Sequence, residues 1–170
     1  LKFKSLGLSG NVLNLYLASK SYSRRMLLQQ AGIQFKLADQ SADEGGLQKN
    51  LSLNEAVSAI ALKKMEHVVL PEGKQEGEVA FVISADTMGT DNAGNVCGKP
   101  SSKEAAINML RSYRDGAETG TAFCVDRKVW KSGTWVLEER VQNFVSAKYI
   151  FDVPEDEIER YFQLSIDAGI

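Results

Sequence analysis

Within Phe81–Pro100, FVISADTMGTDNAGNVCGKP, a carboxylate and an ammonium are spaced so that they can meet. The apolar run Phe81-Val82-Ile83 is long enough for a buried strand and leads into Ser84-Ala85-Asp86-Thr87. An aspartate at the exit of a buried strand stands where α/β proteins place reacting groups. Asp91–Asn95 has the residue types of a turn that tolerates left-handed backbone. The return through Val96-Cys97 to Gly98-Lys99-Pro100 carries Lys99 back beside Asp86. Such a pair suits phosphate chemistry, with the acid holding a metal or a water and the lysine holding a phosphate. Asp86 alone also fits a turn residue or a cap.

Three other stretches offer compatible groups. Ser19-Lys20-Ser21-Tyr22-Ser23-Arg24-Arg25 lies between a strand pattern and the apolar helical pattern that starts at Met26-Leu27-Leu28. The free N–H groups and the dipole of a helix start favour an anion there. The stretch reads as a triphosphate cradle or as a serine N-cap beside exposed arginines, and it has no P-loop glycines. Asp43-Glu44 before Gly45-Gly46 reads as a metal-facing pair or as a solvated turn. In the third stretch, Ser52-Leu53-Asn54-Glu55 is a capping box. At helical spacing Val57, Ile60, Ala61, Met65 and Val68 form one apolar stripe, with Lys64 near its middle and Lys63 pointing away. A lysine on an apolar face snorkels to an edge or meets an anion; the anion is the reading adopted.

The elements that position these groups follow from pattern. Strands are expected over Val12–Ala18, Ile33–Asp39, Thr121–Trp130, Thr134–Val141 and Asn143–Phe151. Gly32 stops the first helix. Pro71–Glu78 is a surface loop, and Arg114–Glu118 is a turn. A second capping box, Ser101-Ser102-Lys103-Glu104, starts a helix running to about Tyr113. Pro154-Glu155-Asp156-Glu157 starts another through Phe162, with acids in its first turn. Residues 1–11 read as an N-terminal extension of a single domain spanning 1–170. Strands alternating with helices early and running as hairpins later indicate an α/β (α+β) domain with a mixed sheet.

Composition removes several classes. Net charge is −2, and no basic stripe suggests nucleic acid. No apolar run approaches the roughly 20 residues of a membrane span. Cys97 and Cys124 read as buried thiols of a reducing, cytoplasmic compartment. His67, the single histidine, rules out a His/Cys zinc site and reads as a helix-flank residue rather than a triad base.

Six segments together resemble the Maf-like proteins, also called septum formation inhibitors: LASKSYSRRMLL (17–28), DE (43–44), IALKKM (60–65), ISADT (83–87), GKP (98–100) and EDEIERYF (155–162). The resemblance covers about residues 12–162. It implies a mixed β-sheet flanked by helices, of the kind shared with inosine triphosphatases. It also implies cleavage of a nucleoside triphosphate to monophosphate and pyrophosphate, with a divalent cation, Mg²⁺ or alternatively Mn²⁺. Carried over, Ser19 and Arg24 match the phosphate-binding turn; Ser21 and Ser23 in the same stretch are expected to bind substrate, with Ser23 at a position linked to substrate choice. Glu44 matches the metal-binding acid, and Lys64 and Lys99 match the two phosphate lysines. Asp86 matches the proton acceptor and metal neighbour. Thr87 resembles a position linked to base choice, and Asp86-Thr87 resembles the branch preferring dTTP and UTP. The resemblance further implies a homodimer and a link to cell division, although no stripe identifies an interface.

The chain departs from the family in three places. A tyrosine, Tyr22, replaces the proline after Ser21. The family histidine has no counterpart near Gly116–Thr119. The family's lysine-alanine-glycine and glycine-rich closing segments have no match before Ile170, which implies an incomplete or shortened domain. A nucleotide-binding regulator of cell division with little turnover is the alternative from another class. An inosine-triphosphate pyrophosphatase is a third reading.

Overall fold

The computed structural model describes residues 14–42 and 51–167. The N-terminal extension and Asp43-Glu44 lie outside the described residues. A mixed sheet has the strand order β2-β1-β5-β7-β8. Its parallel half is β1 (Leu15–Leu17), β2 (Lys36–Leu37) and the start of β5 (Val79–Asp91). Its antiparallel half is β5, β7 (Ala117–Lys131) and β8 (Thr134–Tyr149). A short β6 (Val96–Cys97) turns back on the end of β5. β3 (Asp39–Gln40) and β4 (Val68–Val69) form a separate ribbon, so the strand expected over Ile33–Asp39 is two short pieces.

The helix α2 (Leu53–Glu66) lies on one face of the sheet, against β5 and β7. Its Ser52 capping box is present as read. Leu53, Val57 and Ala61 pack with Ala122, and Met65 packs with Ala18, Val82 and Cys124. Val68 leaves the expected stripe, because the helix ends at Glu66 and His67 caps it. On the other side of the molecule α3 (Lys103–Ser112) and α4 (Ile158–Asp167) meet around Ile107, Tyr113, Ala117, Phe151 and Ile158. The cap of α3 is Ser102, whose hydroxyl accepts from the Ala105 N–H; with an alanine at the third helical position the capping box expected from Ser101 to Glu104 is replaced by a simple serine N-cap. A 3-10 turn at Glu155–Glu157 precedes α4.

Three strands are longer than expected. β5 continues through Ser84–Asp91 instead of ending at Ile83. Glycine weakens a strand interior, yet Gly89 is needed here: a Cβ would lie 2.6 Å from the Tyr113 hydroxyl. β7 begins at Ala117, inside the expected turn. β8 runs unbroken through Gln142-Asn143, where Asn143 pairs with Phe123. Its one irregularity is a bulge opposite Arg127/Lys128.

Under α2 the sheet closes tightly. A Cβ at Gly120 would lie 2.6 Å from the Phe144 ring and 2.8 Å from Leu53. Gly120→Ala is therefore expected to cost about 1–3 kcal/mol through overpacking, read from denaturant unfolding. Nearby, the fully buried Asp126 receives Arg140 at 2.6 and 2.8 Å, directly across the ladder. Burial, and then the Asp126 charge, push the Cys124 thiol up to about 11. Both cysteines are free thiols in strands; Cys124 is buried as expected and Cys97 is half-buried. No described helix is long and apolar enough to cross a membrane.

Candidate active site

The strands on the β1 edge of β5 do not run its full length. β1 pairs with it at Phe81–Ile83, and β6 pairs with it at Gly89–Thr90. Between these pairings, residues 84–88 have no strand partner on that edge among the described residues. Asp86 is at the centre of this gap. It is thus not at the end of its own strand, as the sequence suggests, but past the carboxyl end of its parallel neighbour β1. That is the crevice position of open α/β sheets.

Each side of the gap brings a phosphate-type group. β1 ends at Leu17, the Ala18 N–H donates to the Ile83 carbonyl at 2.8 Å, and the buried Ser19 follows. On the other side, β6 ends at Cys97 opposite Gly89, and Lys99 lies two residues further along the hairpin. Lys99 is exposed and makes no hydrogen bond or ion pair with the described residues. The hairpin therefore returns it toward the gap, as expected, but no contact joins it to Asp86.

Two sets of contacts meet at the gap. On the α2 side, Lys64 Nζ donates to Asp86 Oδ1 at 2.7 Å; the residues are 6% and 8% exposed. Asp86 is thus one anion that this lysine in an apolar stripe meets. Two residues before, the buried Ser84 hydroxyl donates to the Ala61 carbonyl at 2.7 Å and fixes β5 to α2. Ser84→Ala is expected to lower stability by about 1–2 kcal/mol, read by calorimetry, and to reduce turnover through the loosened α2–β5 spacing.

The second set lies on the opposite face, because successive strand residues alternate. Arg24 donates through Nη1 to Ser19 Oγ at 3.2 Å and through Nη2 to Thr87 Oγ1 at 3.0 Å. Thr87 Oγ1 is 2.9 Å from Thr121 Oγ1 on β7. The positioning element is α1 (Tyr22–Gln30), which begins four residues earlier than its apolar pattern suggests. Ser21 is its N-cap and accepts from the Arg24 N–H at 3.4 Å. Tyr22 takes the first helical position, where a proline is favoured but dispensable once the cap is made. Arg24 and Arg25 consequently belong to the helix rather than to a turn, and α1 buries no residue. Ser23, in the first turn, is exposed.

Of the expected site residues, Ser19, Ser21, Arg24 and Thr87 are joined by hydrogen bonds, and Lys64 and Asp86 are joined by an ion pair. Glu44 lies outside the described residues. Among the described residues no three acids, histidines or cysteines gather to hold a metal. Asp86 does supply a carboxylate, and Mg²⁺ is commonly held by one or two carboxylates with phosphate oxygens and water completing the shell, so the donor fits such an ion. Thr121 was not foreseen; only the β5–β7 register, which pairs it with Thr87, reveals it. A broad groove at the opposite end of the sheet, near Asn14, Lys36, Glu78 and Arg127, contains none of these residues.

Comparison with known proteins places the chain among its relatives. The chain is 32% identical over 148 residues to the dTTP/UTP pyrophosphatase of Dictyoglomus turgidum, covering 85% of this chain and 69% of that protein. It is 30% identical over 145 residues to the dTTP/UTP pyrophosphatase of Fusobacterium nucleatum, with the same two coverages, 85% and 69%. A third relative, the dTTP/UTP pyrophosphatase of Caldicellulosiruptor bescii, is 38% identical over 97 residues, 57% of this chain and 47% of that protein. The family model described as Maf-like protein matches residues 14–167, a span that includes every described residue, and the chain accordingly belongs to the Maf-like family.

Proposed function

We propose that the chain is a nucleoside triphosphate pyrophosphatase, converting a (deoxy)nucleoside triphosphate and water to the monophosphate and pyrophosphate, with dTTP and UTP preferred. The observation that carries this reading is the gap in the sheet beside β5. A buried carboxylate at its centre is paired to Lys64, and Ser19 and the Lys99 hairpin flank it. The names of the relatives support both the reaction and the bases.

In this mechanism the triphosphate lies along the gap. Arg24, reaching from α1 across Ser19 to Thr87, and Lys99, from the hairpin, neutralise its charge; Ser21 holds the α1 start, and Ser23 faces solvent where it can adapt to the substrate. Lys64 holds the Asp86 carboxylate in one orientation at 2.7 Å. Asp86 accepts a proton from a water, whose oxygen bonds to the α-phosphorus while the bond to the bridging β-oxygen breaks. A divalent cation, held by Asp86 and, by family resemblance, Glu44, supplies charge neutralisation for the phosphates when bound. Positioning and fixed charge provide most of the rate, as in phosphoryl transfer generally.

The test is pyrophosphate release with Mg²⁺ across dTTP, UTP, CTP, GTP, ITP and 7-methyl-GTP. Release from dTTP and UTP at least tenfold faster than from the purines is expected. Preference for ITP or 7-methyl-GTP would refute the base assignment, and a folded protein silent on all six would refute the activity.

A further inference from the structure

Resting on the pyrophosphatase reading above, we infer that Thr121 is a positioning residue for substrate binding, acting on Arg24 through the hydroxyl of Thr87. Thr121 is on β7, directly across the ladder from Thr87, and the two hydroxyl oxygens are 2.9 Å apart. Thr87 Oγ1 is at the same time the acceptor for Arg24 Nη2 at 3.0 Å. Thr87 is exposed at the edge of the gap, so without a second partner its hydroxyl is free to rotate away from the arginine. Thr121 removes that freedom. Whichever hydroxyl donates between the two threonines, Thr87 Oγ1 keeps a lone pair toward Arg24.

The consequence is that two of the guanidinium's contacts are set by the sheet. Ser19 accepts one arm at 3.2 Å, and the Thr121-braced Thr87 accepts the other. One acceptor follows the end of β1 and the other is on β5, both just past the place where the β1–β5 pairing stops. The guanidinium plane is thereby held across the mouth of the gap before the phosphate chain arrives, which lowers the ordering cost of binding it. A brace of this kind acts on binding that is equal in ground and transition states, so it changes KM rather than kcat.

The experiment is Thr121→Val, which keeps the branched shape suited to a strand and removes only the hydroxyl. Two readouts are used: pyrophosphate release from dTTP, and the Kd for inorganic tripolyphosphate with Mg²⁺ by calorimetry, which needs no turnover. Thr121→Val should raise KM and the tripolyphosphate Kd about fivefold, with kcat within about twofold of the parent. Thr121→Ser, which retains the hydroxyl, should restore both. In a Thr87→Val background Thr121→Val should add nothing, because the link it acts through is gone.

An unchanged Kd in Thr121→Val, a serine variant as weak as the valine one, or full additivity with Thr87→Val each overturns the assignment. Altered base ranking at unchanged tripolyphosphate affinity also overturns it and gives Thr121 to the base. A parent protein that binds tripolyphosphate but releases no pyrophosphate refutes the activity and leaves this test decisive. A parent that binds no tripolyphosphate overturns the assignment itself.

Discussion

Asp86→Asn is expected to lower kcat for pyrophosphate release by about a thousandfold while the protein stays folded. A positioned general base contributes about 10²–10⁴ in rate, and this carboxylate is also assigned the divalent cation, which keeps the loss away from the lower end of that range. Asparagine keeps the shape, and its side-chain carbonyl can still accept from Lys64 Nζ, now 2.7 Å from Oδ1. The hydrogen bond therefore survives and the charge attraction does not. Steady-state kinetics with dTTP, with circular dichroism on the same samples, makes the check. Activity within tenfold of the parent would remove Asp86 from the chemistry.

Lys64→Met is expected to damage both stability and turnover. The side chains of Lys64 and Asp86 are only 8% and 11% exposed, so loss of the ammonium leaves a carboxylate buried without this partner. Breaking a buried pair from one side costs about 3–5 kcal/mol, which at this chain length moves Tm by roughly 6–20 °C. Turnover is expected to fall more than a hundredfold, since the general base loses its fixed orientation. The double variant Lys64→Met/Asp86→Asn should be less destabilised than the sum of the single changes by about 1–3 kcal/mol, because removing the charge relieves the burial penalty. Calorimetry on the four proteins reads this coupling; simple additivity would mean that the pair does not act as a unit.

The parts of the fold that depend on local chemistry were legible in the sequence. The stripe on α2 was visible because burial at helical spacing leaves a periodic record, and Lys64 stood out because it broke that stripe. The Asp91–Asn95 turn was visible because Asp91 takes both the Asn95 backbone N–H and its side-chain amide, at 2.8 Å each. What was not legible depends on long-range pairing. Ser84-Ala85-Asp86-Thr87 has poor strand propensity, yet continuous pairing with Cys124–Thr121 keeps it extended. Gln142, between the two expected strands, reads as a break, yet the β7 ladder carries β8 through it. The gap beside Asp86 depends on where β1 and β6 stop, which no single segment records.

The same distinction applies to the site. Ser19, Arg24, Lys64, Asp86 and Lys99 are proposed from residue type and family resemblance, because each lies in or next to a recognisable local motif. Thr121 has no such motif, and one threonine in a strand of β-formers carries no signal until the register sets it opposite Thr87. The start of α1 was misplaced because its apolar residues do not face a buried core; its N-cap serine, rather than hydrophobic period, decides where it begins.

The most direct test of the account is hydrolysis of dTTP in ¹⁸O-water with Mg²⁺, with the products separated and weighed by mass spectrometry. Attack on the α-phosphorus from the gap beside Asp86 predicts a single ¹⁸O atom in dTMP and none in pyrophosphate. Label in pyrophosphate, or dTDP and phosphate as the products, would place the attack on another phosphorus and contradict the account.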